Sequence, residues 1–149
     1  HLRLQFNDPS ASSPFDPRAI WALWAKFDIS TPQVQMWGWW LDRERGAGTV
    51  PITSSDDSVK VTSYVNMGNS TLIAVASFAD KNTSVTLNVD WTKLGLDPHD
   101  ATRPLYMHAP KLLPMQPDAR TFDPLTAKLE CAKGQGWLLV LTYAEGFYI

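Results

Sequence analysis

Hydrophobic and polar positions alternate most regularly over residues 58–91 (SVKVTSYVNMGNSTLIAVASFADKNTSVTLNVDW). Val59, Val61, Ser63 and Val65 alternate with Lys60, Thr62, Tyr64 and Asn66, the period-two signature of a strand with one wet face. Asn66, Met67, Gly68 and Asn69 tolerate positive φ and let the chain reverse. Residues 71–79 are apolar on both faces, with Leu72, Ala74, Ala76 and Phe78 on one and Ile73, Val75, Ser77 and Ala79 on the other. A strand of that kind belongs in the middle of a sheet covered on both sides. Asp80, Lys81 and Asn82 form a second turn, after which Val85, Leu87, Val89 and Trp91 alternate with Thr86, Asn88 and Asp90. The pattern predicts an antiparallel meander whose middle strand is buried.

Upstream, residues 1–14 read as loop. Asp16 can cap a helix, and Pro17 suits its first position because no donor is needed there. Ile20, Trp21, Leu23, Trp24 and Phe27 form a wide apolar stripe at helical spacing, so a helix over 17–27 must dock on something. The expectation is that Trp21 or Trp24 is largely buried, against an outer sheet face or in an adjoining domain. Residues 33–41 (QVQMWGWWL) read as extended with aromatics on both faces, and 42–57, rich in charge, Gly and Ser, as a connector.

Downstream, residues 92–98 predict a single helical turn closed by Gly95 and Pro98, and 104–108 a strand. Residues 109–124 carry four prolines and read as loop with a short strand near 112–116. Ala127, Leu129 and Cys131 alternate inward, residues 133–136 turn the chain, and 137–143 form a second strand apolar on both faces. Short strands at this spacing, with turns between them, predict an all-β antiparallel β-sandwich with one short N-terminal helix and an aromatic connector.

Composition narrows the picture. Seven Trp and eleven Pro suit a sheet protein with wide loops. The net charge of -2 comes without any basic run, which argues against nucleic acid or an anionic membrane as partner. No apolar run reaches the length of a membrane span. One cysteine forms no internal disulfide, which is neutral on secretion. The chain begins with His1 and shows no signal sequence, as expected of a processed product or a piece of a longer polypeptide.

Read together, PRAIWALWAKFDI, MWGWWLD, TLIAVASFADKNTSVTLNVDWTKLGLDP and GQGWLLVLTY resemble the C-terminal region of glycoside-hydrolase-like proteins related to glycoside hydrolase family 123, the β-N-acetylgalactosaminidase-type group. The resemblance covers the chain from Asp16 onward. It implies that residues 1–32 are a loop and the closing helix of a preceding catalytic-type domain. Residues 33–57 would then be the aromatic and charged connector, and 58–149 the terminal β-sandwich. The family's catalysis rests on an adjacent Asp-Glu pair working with the substrate's own acetamido group. This sequence holds no Asp-Glu dipeptide, so no catalytic residue carries over.

The remaining chemistry is weighed residue by residue. Asp42 with Glu44, Asp56 with Asp57, and Asp97 with Asp100 are local carboxylate pairs of the type glycoside hydrolysis needs, but all six are explained as solvated or turn-capping groups. A free His1 could chelate copper only with His99 or His108, and neither has metal-ligand spacing; neither a metal nor a cofactor is expected. Cys131 reads as a small core hydrophobe. Trp37, Trp39 and Trp40 are candidates either for contact with a sugar ring or for sealing a joint between two domains, the second being favoured. Asn69 and Asn82 each begin a glycosylation sequon that falls on a predicted turn.

The reading is a non-catalytic C-terminal β-sandwich module of a secreted or cell-surface glycoside-hydrolase-like protein, bracing an upstream catalytic barrel or companion chain and helping to handle glycan. The alternative is a structural or carbohydrate-binding surface protein with no enzymatic parent.

Overall fold

The computed structural model describes residues 17–113 and 115–149, so His1 and the Asp16 cap lie outside the described residues. Helix α1 (Arg18–Phe27) leads into strand β1 (Val34–Trp37), the short helix α2 (Leu41–Arg45) and strand β2 (Ile52–Ser54). There follow β3 (Val59–Asn66), β4 (Ser70–Ser77), β5 (Thr83–Val89), helix α3 (Trp91–Leu94), β6 (Tyr106–Ala109), β7 (Arg120–Phe122), β8 (Lys128–Cys131) and β9 (Gly136–Thr142). Two antiparallel sheets result: a six-stranded one in the order β1-β3-β4-β9-β6-β7 and a three-stranded one in the order β2-β5-β8. The fold is a β-sandwich, as the pattern predicts.

The alternation in β3 is realised as written, with Val59, Val61, Ser63 and Val65 buried and the residues between them half-buried. Residues 67–69 reverse the chain, Gly68 at φ 74, and β4 pairs with β3 from Val59↔Ser77 to Asn66↔Ser70. The expected meander stops there. β5 does not pair with β4; residues 78–82 carry the chain across to the second sheet, where β5 lies between β2 and β8. The free edge of β4 is taken by β9, in register from Ser70↔Thr142 to Ala76↔Gly136. β9 is apolar on both faces, as β4 is, and such strands exclude a half-polar one from the centre of the larger sheet. β5 keeps Ser84, Thr86 and Asn88 exposed and suits the small sheet, whose outer face is wet.

Residues 33–57 contribute to both sheets. β1 edges the large sheet against β3, and β2 pairs with β5, burying Ile52 to 1% exposure. Within 109–124 the chain adds β7, paired with β6, while 112–116 holds a single bridge between Leu112 and Gln116 in place of a strand.

Two apolar clusters hold these layers. Between the sheets lie Ile52, Val61, Ile73, Val85, Leu129, Leu139 and Leu141 with their neighbours. On the outer face of the large sheet, Leu72, Leu138, Val140 and Leu112 receive Ile20, Leu23 and Phe27 of α1. The helix therefore docks through positions i, i+3 and i+7, each buried side chain stabilising by roughly 1.5–3 kcal/mol. Of the two tryptophans expected to dock, one does so. Trp24 is half-buried at the margin of this contact, and Trp21, one residue off the stripe, is 48% exposed. Helix α1 ends at Asp28, left-handed at φ 61, whose amide reaches back to the carbonyls of Trp24 and Ala25.

Helix α3 is capped by Asp90, whose carboxylate accepts from the Lys93 amide at 3.1 Å, and closed by Gly95 at φ 66. The Gly68 amide donates to Leu94 O at 2.8 Å, which locks the β3–β4 turn onto this helix end. No helix of the described residues is long and apolar enough to cross a membrane.

Candidate functional site

The sequence candidates Trp37, Trp39 and Trp40 gather where β1 leaves the edge of the large sheet. Trp37 lies opposite Ser63 and packs against the inter-sheet core. Val34, two positions from Met36 on the same strand, packs on the helix side, so Met36 shares that outer face and is exposed. Gly38 then turns the chain, and the Leu41 amide donates back to its carbonyl at 3.0 Å. A side chain at Gly38 would run into the Trp40 indole, so the absence of a Cβ lets that ring lie over the backbone.

Trp39 and Trp40 meet edge to face, ring centroids 6.0 Å apart and planes at 87°. Both stay open to solvent, at 40% and 37% exposure. Lys60, on the outer face of β3, places its ammonium 5.3 Å from the Trp39 centroid. Helix α2 behind them is anchored by Asp42, whose Oδ1 accepts from the Val50 amide at 2.8 Å. The edge thus presents two fixed indoles, a cation and Met36. Such a surface can stack on a sugar ring or bury itself against another domain.

The carboxylate pairs build turns. Asp56 accepts from the Ser58 hydroxyl at 2.6 Å and from its amide at 2.8 Å. Those bonds, the hydroxyl first, hold its carboxyl below the usual range. Asp100 repeats the arrangement with Thr102, at 2.6 Å to the hydroxyl and 2.9 Å to the amide, with the same direction of shift. A general acid for glycoside hydrolysis needs the opposite shift. Asp97 accepts from the His99 amide at 2.8 Å, Asp42 is engaged as above, and Glu44 and Asp57 are exposed.

His99 is exposed. His108 is 5% exposed, its Nε2–H donating to Ala144 O at 2.9 Å and its Nδ1 lying 3.0 Å from the Thr121 hydroxyl. Among the described residues no group of three or more His, Cys, Asp or Glu is placed to hold a metal ion. Cys131 is buried; burial first, then the charge of Glu130, pushes its thiol up and keeps it protonated.

Both sequon asparagines are exposed. Asn69 sits on the β3–β4 turn, and Asn82 on the crossing between the sheets, where its Oδ1 accepts from the Lys133 amide at 3.0 Å. Two participants gave no sign in the sequence: Lys60 as a partner of Trp39, and a cleft between residues 98–106 and 121–125. Both depend on contacts across strands, which spacing along the chain does not encode.

The fold and this edge define a helix-backed β-sandwich module carrying an exposed aromatic margin. The family model described as glycoside hydrolase 123, C-terminal domain, matches residues 16–142, and the chain belongs to that family. No curated protein and no solved structure matches the chain in the corresponding comparisons.

Proposed function

We propose that the chain is a non-catalytic accessory module that braces the catalytic barrel of a secreted or cell-surface glycoside hydrolase, meeting it through the side that carries α1. One asymmetry carries the reading. The outer face of the small sheet is polar, built from Thr53, Ser84, Thr86, Asn88, Lys128 and Glu130, whereas Trp21 and Met36 stand exposed on the helix side and Trp39 and Trp40 at the end of β1 beside it. Burying such residues against a second domain is favourable by about 25 cal/mol per Å² of apolar surface removed from water. Trp37 supports the joint from within, because it ties β1 to the inter-sheet core.

The coding sequence upstream of His1 tests this. A barrel domain with an adjacent Asp-Glu pair is expected, and a different neighbour overturns the reading. In the intact polypeptide, Trp39→Ala with Trp40→Ala should separate one unfolding transition into two. The isolated chain should not turn over aryl N-acetylgalactosaminides; turnover that survives repurification and is lost in an acidic-residue variant contradicts a non-catalytic role.

A second reading rests on the same exposed pair. Trp39 and Trp40 offer flat faces to a sugar ring, as in a carbohydrate-binding surface protein without an enzymatic parent. Titration with soluble oligosaccharides distinguishes the two, since the joint requires no binding there.

A further inference from the structure

The pattern Trp-x-x-Trp occurs twice in the chain, as Trp21-Ala22-Leu23-Trp24 and as Trp37-Gly38-Trp39-Trp40. In the eukaryotic secretory pathway this spacing marks an acceptor for C-mannosylation, in which the first tryptophan of the four receives one mannose on its indole carbon Cδ1. A motif of this kind needs its structural context before it means anything. The fold treats the two first tryptophans differently.

Trp37 lies opposite Ser63 and packs against the inter-sheet core. A hexose on that ring would bring hydroxyls to the margin of an apolar layer, where groups without hydrogen-bond partners are costly. Trp21 stands on α1 beside the docking stripe and is 48% exposed, so a hexose there would face water. Its motif partner Trp24, one turn further at i+3, packs at the margin of the outer cluster. Ile20 and Leu23, at 1% and 0% exposure, hold the helix between them on the sheet.

We propose that Trp21 is a C-mannosylation site and that Trp37, despite the same spacing, is left bare in the folded chain. In the step, Cδ1 of Trp21 attacks C1 of a mannose carried on a polyprenyl phosphate. The C1–O bond breaks and the polyprenyl phosphate leaves with its electron pair. The proton on Cδ1 then passes to a base of the transferase, which restores the aromatic indole. No oxidant or reductant is needed. The inference rests on the reading above for passage through the secretory pathway, where the sugar is added before a neighbouring domain docks. At a joint with that domain, the mannose of Trp21 would belong to the polar rim, while Met36, Trp39 and Trp40 supply the apolar contact.

The test is peptide mass spectrometry of the whole chain, carried by a secretion leader into the medium of eukaryotic cells that hold the tryptophan C-mannosyltransferase, and of the same cells with that enzyme deleted. The peptide containing Trp21 should carry one hexose that resists glycosidases and β-elimination and vanishes with the enzyme. The peptide containing Trp37 should carry none. Trp24→Ala should lose most of the hexose at Trp21, and so should Trp24→Phe, which keeps an aromatic ring at the docking margin. Trp40→Ala should retain it. A bare Trp21 in the secreted chain overturns the site, whatever the state of Asn69 and Asn82. A hexose removed by β-elimination belongs to a serine or threonine and overturns it equally, as does a hexose on Trp37 with Trp21 bare. None of these results bears on the domain joint, which the upstream coding sequence decides.

Discussion

The side-chain carboxamide of Gln116 stands beside Leu138 where a strand residue would otherwise lie. Its Oε1 accepts from the Leu138 amide at 3.1 Å, while Nε2 donates to Leu138 O at 3.1 Å and to Pro110 O at 2.5 Å. The cause is in the chain. The β6–β9 register, Tyr106↔Thr142 and His108↔Val140, continues to bring Pro110 opposite Leu138, and proline has no amide to give. Gln116 is 3% exposed and is held over this gap by its own paired backbone bonds to Leu112, both 2.7 Å.

Gln116→Leu should therefore destabilise the fold, because it leaves the Leu138 amide and carbonyl buried without partners. The cost is about 1–3 kcal/mol for each group that water does not reach. Gln116→Glu should be no better, having lost the donors to both carbonyls. Urea denaturation measures this, and midpoints equal to wild type would show that solvent replaces the carboxamide freely.

The docking of α1 separates two neighbouring residues. Leu23 is fully buried in the outer cluster, so Leu23→Ala should cost about 2–5 kcal/mol through lost transfer energy and the cavity left behind. Trp21→Ala removes a larger side chain from an exposed position and should change stability by about 0.5 kcal/mol or less in the isolated chain. Equal effects from the two substitutions would mean that the helix sits on the sheet in another rotation.

The same helix marks how far the sequence can be read. Its existence, its span and its need to dock follow from the stripe of Ile20, Leu23 and Phe27. Which of the aromatic residues on that wide stripe faces the sheet does not, because Trp21 and Trp24 lie only about 100° of helical rotation from buried neighbours. For the strands, period-two alternation in β3 and two-sided apolarity in β4 and β9 give their faces and their central places. Alternation is silent on partners, so β5 reads equally well beside β4 or across from it. β2 is three residues long, too short to show a period, and its assignment rests on the buried Ile52 and a long-range partner at Val89. At the candidate site, tryptophan identity marks the Trp39–Trp40 edge. The cleft of Asp100 and Asp123 draws on two loops that share no local motif.

Two glycines meet at the end of α3. Gly95 has φ 66, and a Cβ there would lie 2.9 Å from the Gly68 backbone nitrogen. Gly95→Ala should suffer both the left-handed penalty of about 1–2 kcal/mol and the displacement of the β3–β4 turn. Gly48→Ala isolates the first term, since Gly48 has φ 83 but nothing within 4 Å of the position of a Cβ. Thermal unfolding of the two variants should place Gly95→Ala clearly lower, and equal melting temperatures would show that the turn yields without cost.

Thr71 connects the core to the candidate glycosylation at Asn69. Its side chain is fully buried, facing Val65 across the hairpin, and among the described residues its hydroxyl has no hydrogen-bond partner. A valine of nearly the same shape would spare that desolvation, so Thr71→Val should raise stability by about 1–3 kcal/mol. The hydroxyl has a use outside the fold, because Asn69, Ser70 and Thr71 form a sequon whose third position must be Ser or Thr. Expressed through a eukaryotic secretory pathway, the wild-type chain should carry glycans at Asn69 and Asn82. Asn82 presents Nδ2 for attachment, since among the described residues its side chain is engaged through Oδ1 alone, by the Lys133 amide. The Thr71→Val chain should carry one glycan fewer while unfolding at higher denaturant. Intact mass before and after glycosidase treatment, together with a denaturation curve of the deglycosylated proteins, reads both outcomes. An unmodified wild-type mass removes the modification, and a less stable Thr71→Val shows that the hydroxyl does find a partner in the folded core.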